Sequence, residues 1–191
     1  MVFVFGGYAQ KFGGVDPNIF VERVQDCLPR AKVSWLSTDY TLWGTKENSH
    51  REAIEEAKNF VASNSEGPPT FIGYSIGAHL AISLAGITPV KKVLGFLPPT
   101  NLGEQRIGKQ RRVELLDERF LDLQRLISPA TEYHLVADKA ITKPLHGHSY
   151  SQISRLGKNP TVHIKTLDGL QFGKQYFHSQ DFENDLELLG V

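Results

Sequence analysis

Gly73-Tyr74-Ser75-Ile76-Gly77 is the segment whose residue types could do chemistry directly. A serine with glycines two before and two after it is the pattern of a nucleophile raised on a tight turn. With 17 glycines in the chain, composition alone supplies such a string roughly one time in ten, so it informs only through its setting. Thr70-Phe71-Ile72 before it has strand character, and Ala78-His79-Leu80-Ala81-Ile82 after it has helix character. A strand–turn–helix junction lifts the hydroxyl clear of a sheet, and the glycines remove Cβ atoms where strand and helix converge. The helix N-terminus adds partial positive charge and free N–H groups beside the serine. The chemistry this serves is attack on a carbonyl by an activated hydroxyl. The same residues would also make a glycine-flanked turn with no chemistry.

The elements that must position this serine are short β-branched runs alternating with longer amphipathic ones. Val2–Phe5, Val33–Leu36, Thr70–Tyr74, Val90–Leu97, Glu132–Ala137 and Thr161–Leu167 read as strands. Continuous apolar runs such as Val2–Phe5 are expected of strands buried on both faces. Helices are expected over Pro17–Leu28, Ser49–Ala62, Ile76–Ala85, Ser149–Leu156 and Gln180–Leu189. Asp16 then Pro17 reads as an N-cap followed by the first helical position, and Ser49 with Glu52 as a capping box. Val113, Leu116, Phe120, Leu123 and Ile127 recur in steps of three and four, which predicts a further helix over that stretch, either a crossover or a small lid. Strand and helix alternating throughout predict right-handed crossovers and a parallel sheet covered on both faces.

Composition bounds the partners. The 191 residues suit one domain, 1–191, and 21 basic against 21 acidic residues leave no bulk charge to grip nucleic acid or an anionic membrane. Cys27 is the only cysteine, which excludes an intramolecular disulfide, a CxxC pair and a thiolate-rich zinc site. Nothing approaches ~18 consecutive apolar residues, so no membrane-spanning helix is expected. Met1–Phe5 runs straight into Gly6-Gly7 with no basic leader and reads as a strand, not a signal peptide. A reducing, cytoplasmic setting is expected, with no cofactor and no metal. His146 and His148 form a His-x-His pair, but two ligands lacking a third make a poor metal site. Gly6-Gly7-Tyr8 has no G-x-G-x-x-G continuation, which argues against a dinucleotide binder.

From the Gly73–Gly77 turn outward, the ordered set of elements resembles the α/β-hydrolase superfamily over nearly the whole chain. It is most similar to compact single-domain esterases, lipases and thioesterases. The resemblance implies a three-layer α/β sandwich of about six parallel strands with no large cap domain. It also implies a base and an acid in the chain order Ser, Asp or Glu, His. His178, after the sixth strand and just ahead of the last helix, matches the base position, with His146 and His148 in reserve. His79, His134 and His163 fall inside expected elements and read as structural. Asp138, ending the fifth strand, matches the acid position; Glu104 and Asp168 are its rivals. Asp39 precedes the nucleophile and reads as structural. The oxyanion donors would be the backbone N–H of Ile76 and of Gly7 or Tyr8. Gly6-Gly7 stands where many relatives carry His-Gly.

Loops expected to ring Ser75 carry Tyr8, Phe12, Tyr40, Trp43, Leu97, Phe172, Tyr176 and Phe177. An aromatic rim suits an acyl or aryl group better than a sugar or nucleotide, although loop aromatics also serve plain packing. Arg106, Lys109, Arg111 and Arg112 form either a solvated face or a grip for an anionic leaving group. The implied function is cofactor-free hydrolysis of a small-molecule ester or thioester through Ser75, His178 and Asp138. A hydrolase-shaped scaffold without catalysis, and an acyltransferase using the same triad, are the alternatives. The chain's oligomeric state is not legible in these residues.

Overall fold

The computed structural model describes residues 1–6, 17–36, 50–100, 122–141, 150–168 and 174–190. Among them, six strands form one sheet: β1 (Val2–Phe5), β2 (Val33–Leu36), β3 (Thr70–Tyr74), β4 (Lys92–Phe96), β5 (Glu132–Asp138) and β6 (Val162–Leu167). The order is β2-β1-β3-β4-β5-β6 and every neighbouring pair is parallel. The helices are α1 (Pro17–Cys27), α2 (His50–Asn64), α3 (Ile76–Ala85), α4 (Tyr150–Leu156), α5 (Lys174–Phe177) and α6 (Gln180–Glu187). The order of the strands reverses at β1, which pairs with β2 on one side and β3 on the other. In open parallel sheets the crevice at such a switch point, at the carboxyl ends of the strands, is where sites are built.

Alternation along the strands divides the core into two layers, one on each face of the sheet. Phe3, Phe5, Phe71, Val93, Tyr133, Leu135 and Ala137 point to the face covered by α2, α3 and α4. Val2, Val4, Ile72, Tyr74, Leu94, Phe96 and Val136 point to the face covered by α1, α5 and α6. All ten residues of α3 are buried. A helix apolar on every side belongs inside a core, and Gly77, Ala78, Ala81 and Ala85 let α3 lie close to the strands beneath it. On the opposite face, Phe20, Tyr74, Phe96, Tyr176, Phe177 and Phe182 interlock with ring centroids near 5–6 Å, mostly edge-to-face.

One expectation needs correction. The helix expected up to Ile127 does not run that far: Asp122 is extended (φ −115°, ψ 105°), and its side chain accepts from the Gln124 N–H to start a separate 3₁₀ turn, Leu123–Arg125. A residue that caps a new turn breaks any helix arriving from before it; residues 113–121 lie outside the described part. The four-residue α5, ahead of His178, had no sequence signal of its own. The expected caps Asp16 and Ser49 also lie outside the described residues, as does the basic stretch Arg106–Arg112.

Candidate active site

Ser75 occupies the turn between β3 and α3, with φ 53° and ψ −122°. Left-handed φ in a residue with a Cβ is strained and persists only where the surroundings hold it. Here the Ser75 N–H donates to the Phe96 carbonyl at 2.8 Å, and the Ser75 carbonyl accepts from the N–H groups of Ala78 (3.0 Å) and His79 (3.2 Å), starting α3. Its side chain makes no capping bond to the helix, so the hydroxyl is not committed to α3. Ser75 as a residue is partly exposed while its neighbours Tyr74 and Ile76 are buried.

The two glycines of the motif have separate jobs. A Cβ on Gly73 would sit 2.5 Å from both the Ala78 Cα and the Gly77 carbonyl oxygen, so Gly73 lets α3 fold back against β3. A Cβ on Gly77 would sit 2.1 Å from the Phe5 oxygen and 2.3 Å from the Gly6 oxygen. Gly77 therefore seats the first turn of α3 against the end of β1. Every clashing atom at Gly77 is backbone and cannot swing aside. Gly77→Ala should destabilise the chain by about 3 kcal/mol, read as a lowered urea midpoint. A midpoint within error of the parent's would mean this contact is not made.

Ile76, the first residue of α3, carries one of the N–H groups that a helix start leaves without an intrahelical acceptor. The other expected donors, Gly7 and Tyr8, lie outside the described residues; Gly6, immediately before them, packs on Gly77 together with Phe5. Leu97, just after β4, also has left-handed φ (49°), and with Ser75 makes up the non-glycine residues of that kind among those described. Its N–H donates to the Val136 carbonyl at 2.9 Å. The strained ends of β3 and β4 are thus laced to each other and to β5.

Asp138 is the last residue of β5 and fully buried. One carboxylate oxygen accepts the Ala140 N–H at 2.8 Å, and its carbonyl accepts the Ile141 N–H at 3.1 Å, which fixes the turn and the side chain together. Period-two alternation puts Asp138 on the same face as Val136, the one that α5 and α6 cover. Asp168, the rival acid, is largely exposed and ion-paired to Lys139 at 2.9 Å. Glu104, Asp39, His146 and His148 lie outside the described residues.

His178 is exposed at the tip of the turn between α5 and α6. Phe177, the residue before it, makes an edge-to-face contact with Tyr74, the residue before Ser75, at 5.4 Å between ring centroids. The backbones that carry the serine and this histidine are therefore anchored to one another through adjacent rings. Of the other histidines, His79 is fully buried and bonded to the Pro99 carbonyl at 2.6 Å. His134 and His163 stack on each other across β5 and β6.

Three of the expected rim residues, Leu97, Tyr176 and Phe177, are among those described. Tyr176 is buried, and its hydroxyl donates to the buried Asp185 carboxylate, which also accepts from Lys165 at 2.8 Å. Burial, then the bond to Asp185, pushes the phenol far above its ordinary range, so it stays a donor. Phe177 and Leu97 are core residues as well. Aromatic and apolar character alone does not distinguish a rim from a core. Phe12, Tyr40, Trp43 and Phe172 lie outside the described residues. A cleft of about 180 Å³ beside α6 has none of Ser75, Asp138 or His178 in its walls.

No group of three or more His, Cys, Asp or Glu placed to hold a metal ion occurs among the described residues, and no described helix is long and apolar enough to cross a membrane. Burial raises the Cys27 thiol pKa despite the nearby Arg23, the opposite of what a nucleophilic thiolate needs.

By sequence, the chain matches no protein-family model, and no curated protein matches it either. By structure it is similar to Est1E from Butyrivibrio proteoclasticus, solved with ferulic acid bound (TM-score 0.70, 11% identity, covering 98% of this chain and 87% of that one). It is also similar to carboxyl esterase 2 from the mycorrhizal fungus Tuber melanosporum (TM-score 0.65, 18% identity, 99% and 76%). A third is a protein from Xanthomonas campestris pv. campestris assigned to the α/β superfamily of hydrolases (TM-score 0.66, 15% identity, 99% and 97%). The fold is that of the α/β hydrolases.

Proposed function

We propose that the protein is a serine hydrolase acting on a carboxylic ester or thioester of a small acyl or aryl acid. The observation that carries this reading is the backbone of Ser75, held at φ 53° and ψ −122° between two glycines that admit no side chain. Strain of that kind, kept at a serine whose hydroxyl is left uncommitted to the helix, has a use in catalysis and little in packing. The solved structure of like fold that is named as a carboxyl esterase supports the ester class.

In this reading the Ser75 Oγ attacks the acyl carbon and its proton passes to the His178 imidazole. The negative charge on the carbonyl oxygen meets the N–H of Ile76 and of Gly7 or Tyr8. Collapse expels the alcohol or thiol, which takes the proton from the imidazolium and leaves an acyl-serine. Water, deprotonated by His178, then releases the acid and restores Ser75. Asp138 holds the imidazole tautomer and stabilises its charged form.

The purified protein should turn over short p-nitrophenyl esters such as the butyrate with saturating kinetics and no added metal or cofactor. Turnover of the matching S-acyl thioester, measured alongside, sets which leaving group the site prefers. A folded protein that leaves both classes untouched would contradict the reading.

A further inference from the structure

We propose that Tyr176, through Asp185, and Arg23 are positioning residues that hold the His178-bearing turn in catalytic register, a role that rests on the assignment of His178 as the base. The turn is a short surface connection, yet it is bonded from several directions. The Ser179 N–H and hydroxyl both donate to the Tyr176 carbonyl, at 2.9 and 2.7 Å, closing the chain around His178. The same Ser179 oxygen accepts the Phe182 N–H and caps α6. From α1, Arg23 donates through Nε to the Phe177 carbonyl at 2.9 Å, the last carbonyl before His178, and pairs with Glu183 of α6 at 3.1 Å. From the other side, the Tyr176 hydroxyl donates to Asp185, which Lys165 of β6 also holds.

Stability is a poor reason for this arrangement. A carboxylate as buried as Asp185 carries a desolvation penalty that apolar packing would avoid. The rings of Tyr176 and Phe177 already sit in the aromatic core. What the polar tethers add is direction. They fix the two residues before His178 and the one after it, while leaving the imidazole itself at the exposed tip. A proton carrier needs that combination, since a displacement of about 1 Å can reduce rate roughly 100-fold.

The test compares Tyr176→Phe, which removes only the hydroxyl, and Arg23→Met, which does not touch buried Asp185. Each is made in the natural chain and in a His178→Ala background, and assayed on p-nitrophenyl butyrate below the melting point read by circular dichroism. In the natural chain each variant should lower kcat roughly 10- to 100-fold with KM within about twofold. In the His178→Ala background neither should lower the residual rate by more than about twofold, because the tethers act through that imidazole. If His178→Ala removes activity but both variants keep parent kcat, the base stands and the positioning role is overturned. If they lower the residual rate as much as the parent rate, the effect is general loosening and the role is overturned too. If His178→Ala keeps full activity, the base assignment itself is overturned and this role with it.

Discussion

Ser75→Ala should reduce turnover of p-nitrophenyl butyrate by about 10⁶-fold, to background, with the fold intact. The size follows from what the hydroxyl does in the proposed reaction: without Oγ no acyl-enzyme forms, and the remaining N–H donors have no attacking atom to work with. Stability should hold within about 0.5 kcal/mol, because the Ser75 side chain makes no cap bond to α3 and its backbone bonds to Phe96, Ala78 and His79 do not involve Oγ. Alanine also meets the same strain at φ 53°, so the elbow is kept. Parent-like turnover in the folded variant would remove Ser75 from the chemistry.

Asp138→Asn should lower kcat by about 10³- to 10⁴-fold, with a small change in KM. An amide keeps the size of the carboxylate and an oxygen for the Ala140 N–H, so the turn after β5 should survive. It loses the negative charge that an imidazolium would face and presents N–H donors in its place, which favours the wrong tautomer. The substitution therefore separates an orienting carboxylate from a turn-forming one. Steady-state kinetics with a urea melt on the same sample makes the distinction: lost kcat with retained stability is the expected pair. A kcat within a few-fold of the parent would move the acid elsewhere in the chain.

Much of this was legible in the residues, for reasons that are local. Val2–Phe5, Thr70–Tyr74 and Ile76–Ala85 are uniform in character and come at their expected bounds, because a strand or helix buried on all sides has no polar face to blur its ends. The serine turn was readable for a related reason: two glycines and a serine at fixed spacing can be checked against the strand before and the helix after. β5 ends at Asp138, one residue beyond the stretch Glu132–Ala137 that reads as a strand.

What was not legible depends on contacts distant in sequence. Arg23 meets the Phe177 carbonyl across 154 positions, and nothing in the amphipathic pattern of α1 marks that arginine from any other solvent-facing cation. Tyr176 read as a rim residue because a tyrosine near the expected base looks the same whether its hydroxyl meets substrate or a buried carboxylate nine residues on. The apolar steps from Val113 to Ile127 predicted one helix, since periodicity records which positions are apolar and not where an aspartate such as Asp122 caps a new turn.

Ser75 is the activated nucleophile of the proposed reaction, and covalent capture tests that role. The folded protein is incubated with a fluorophosphonate, and the modified peptide is located by mass spectrometry. The predicted result is one stoichiometric adduct on the peptide containing Gly73-Tyr74-Ser75-Ile76-Gly77, lost in Ser75→Ala and after heat denaturation. No adduct on the folded protein, or an adduct on another residue that persists in Ser75→Ala, would contradict it.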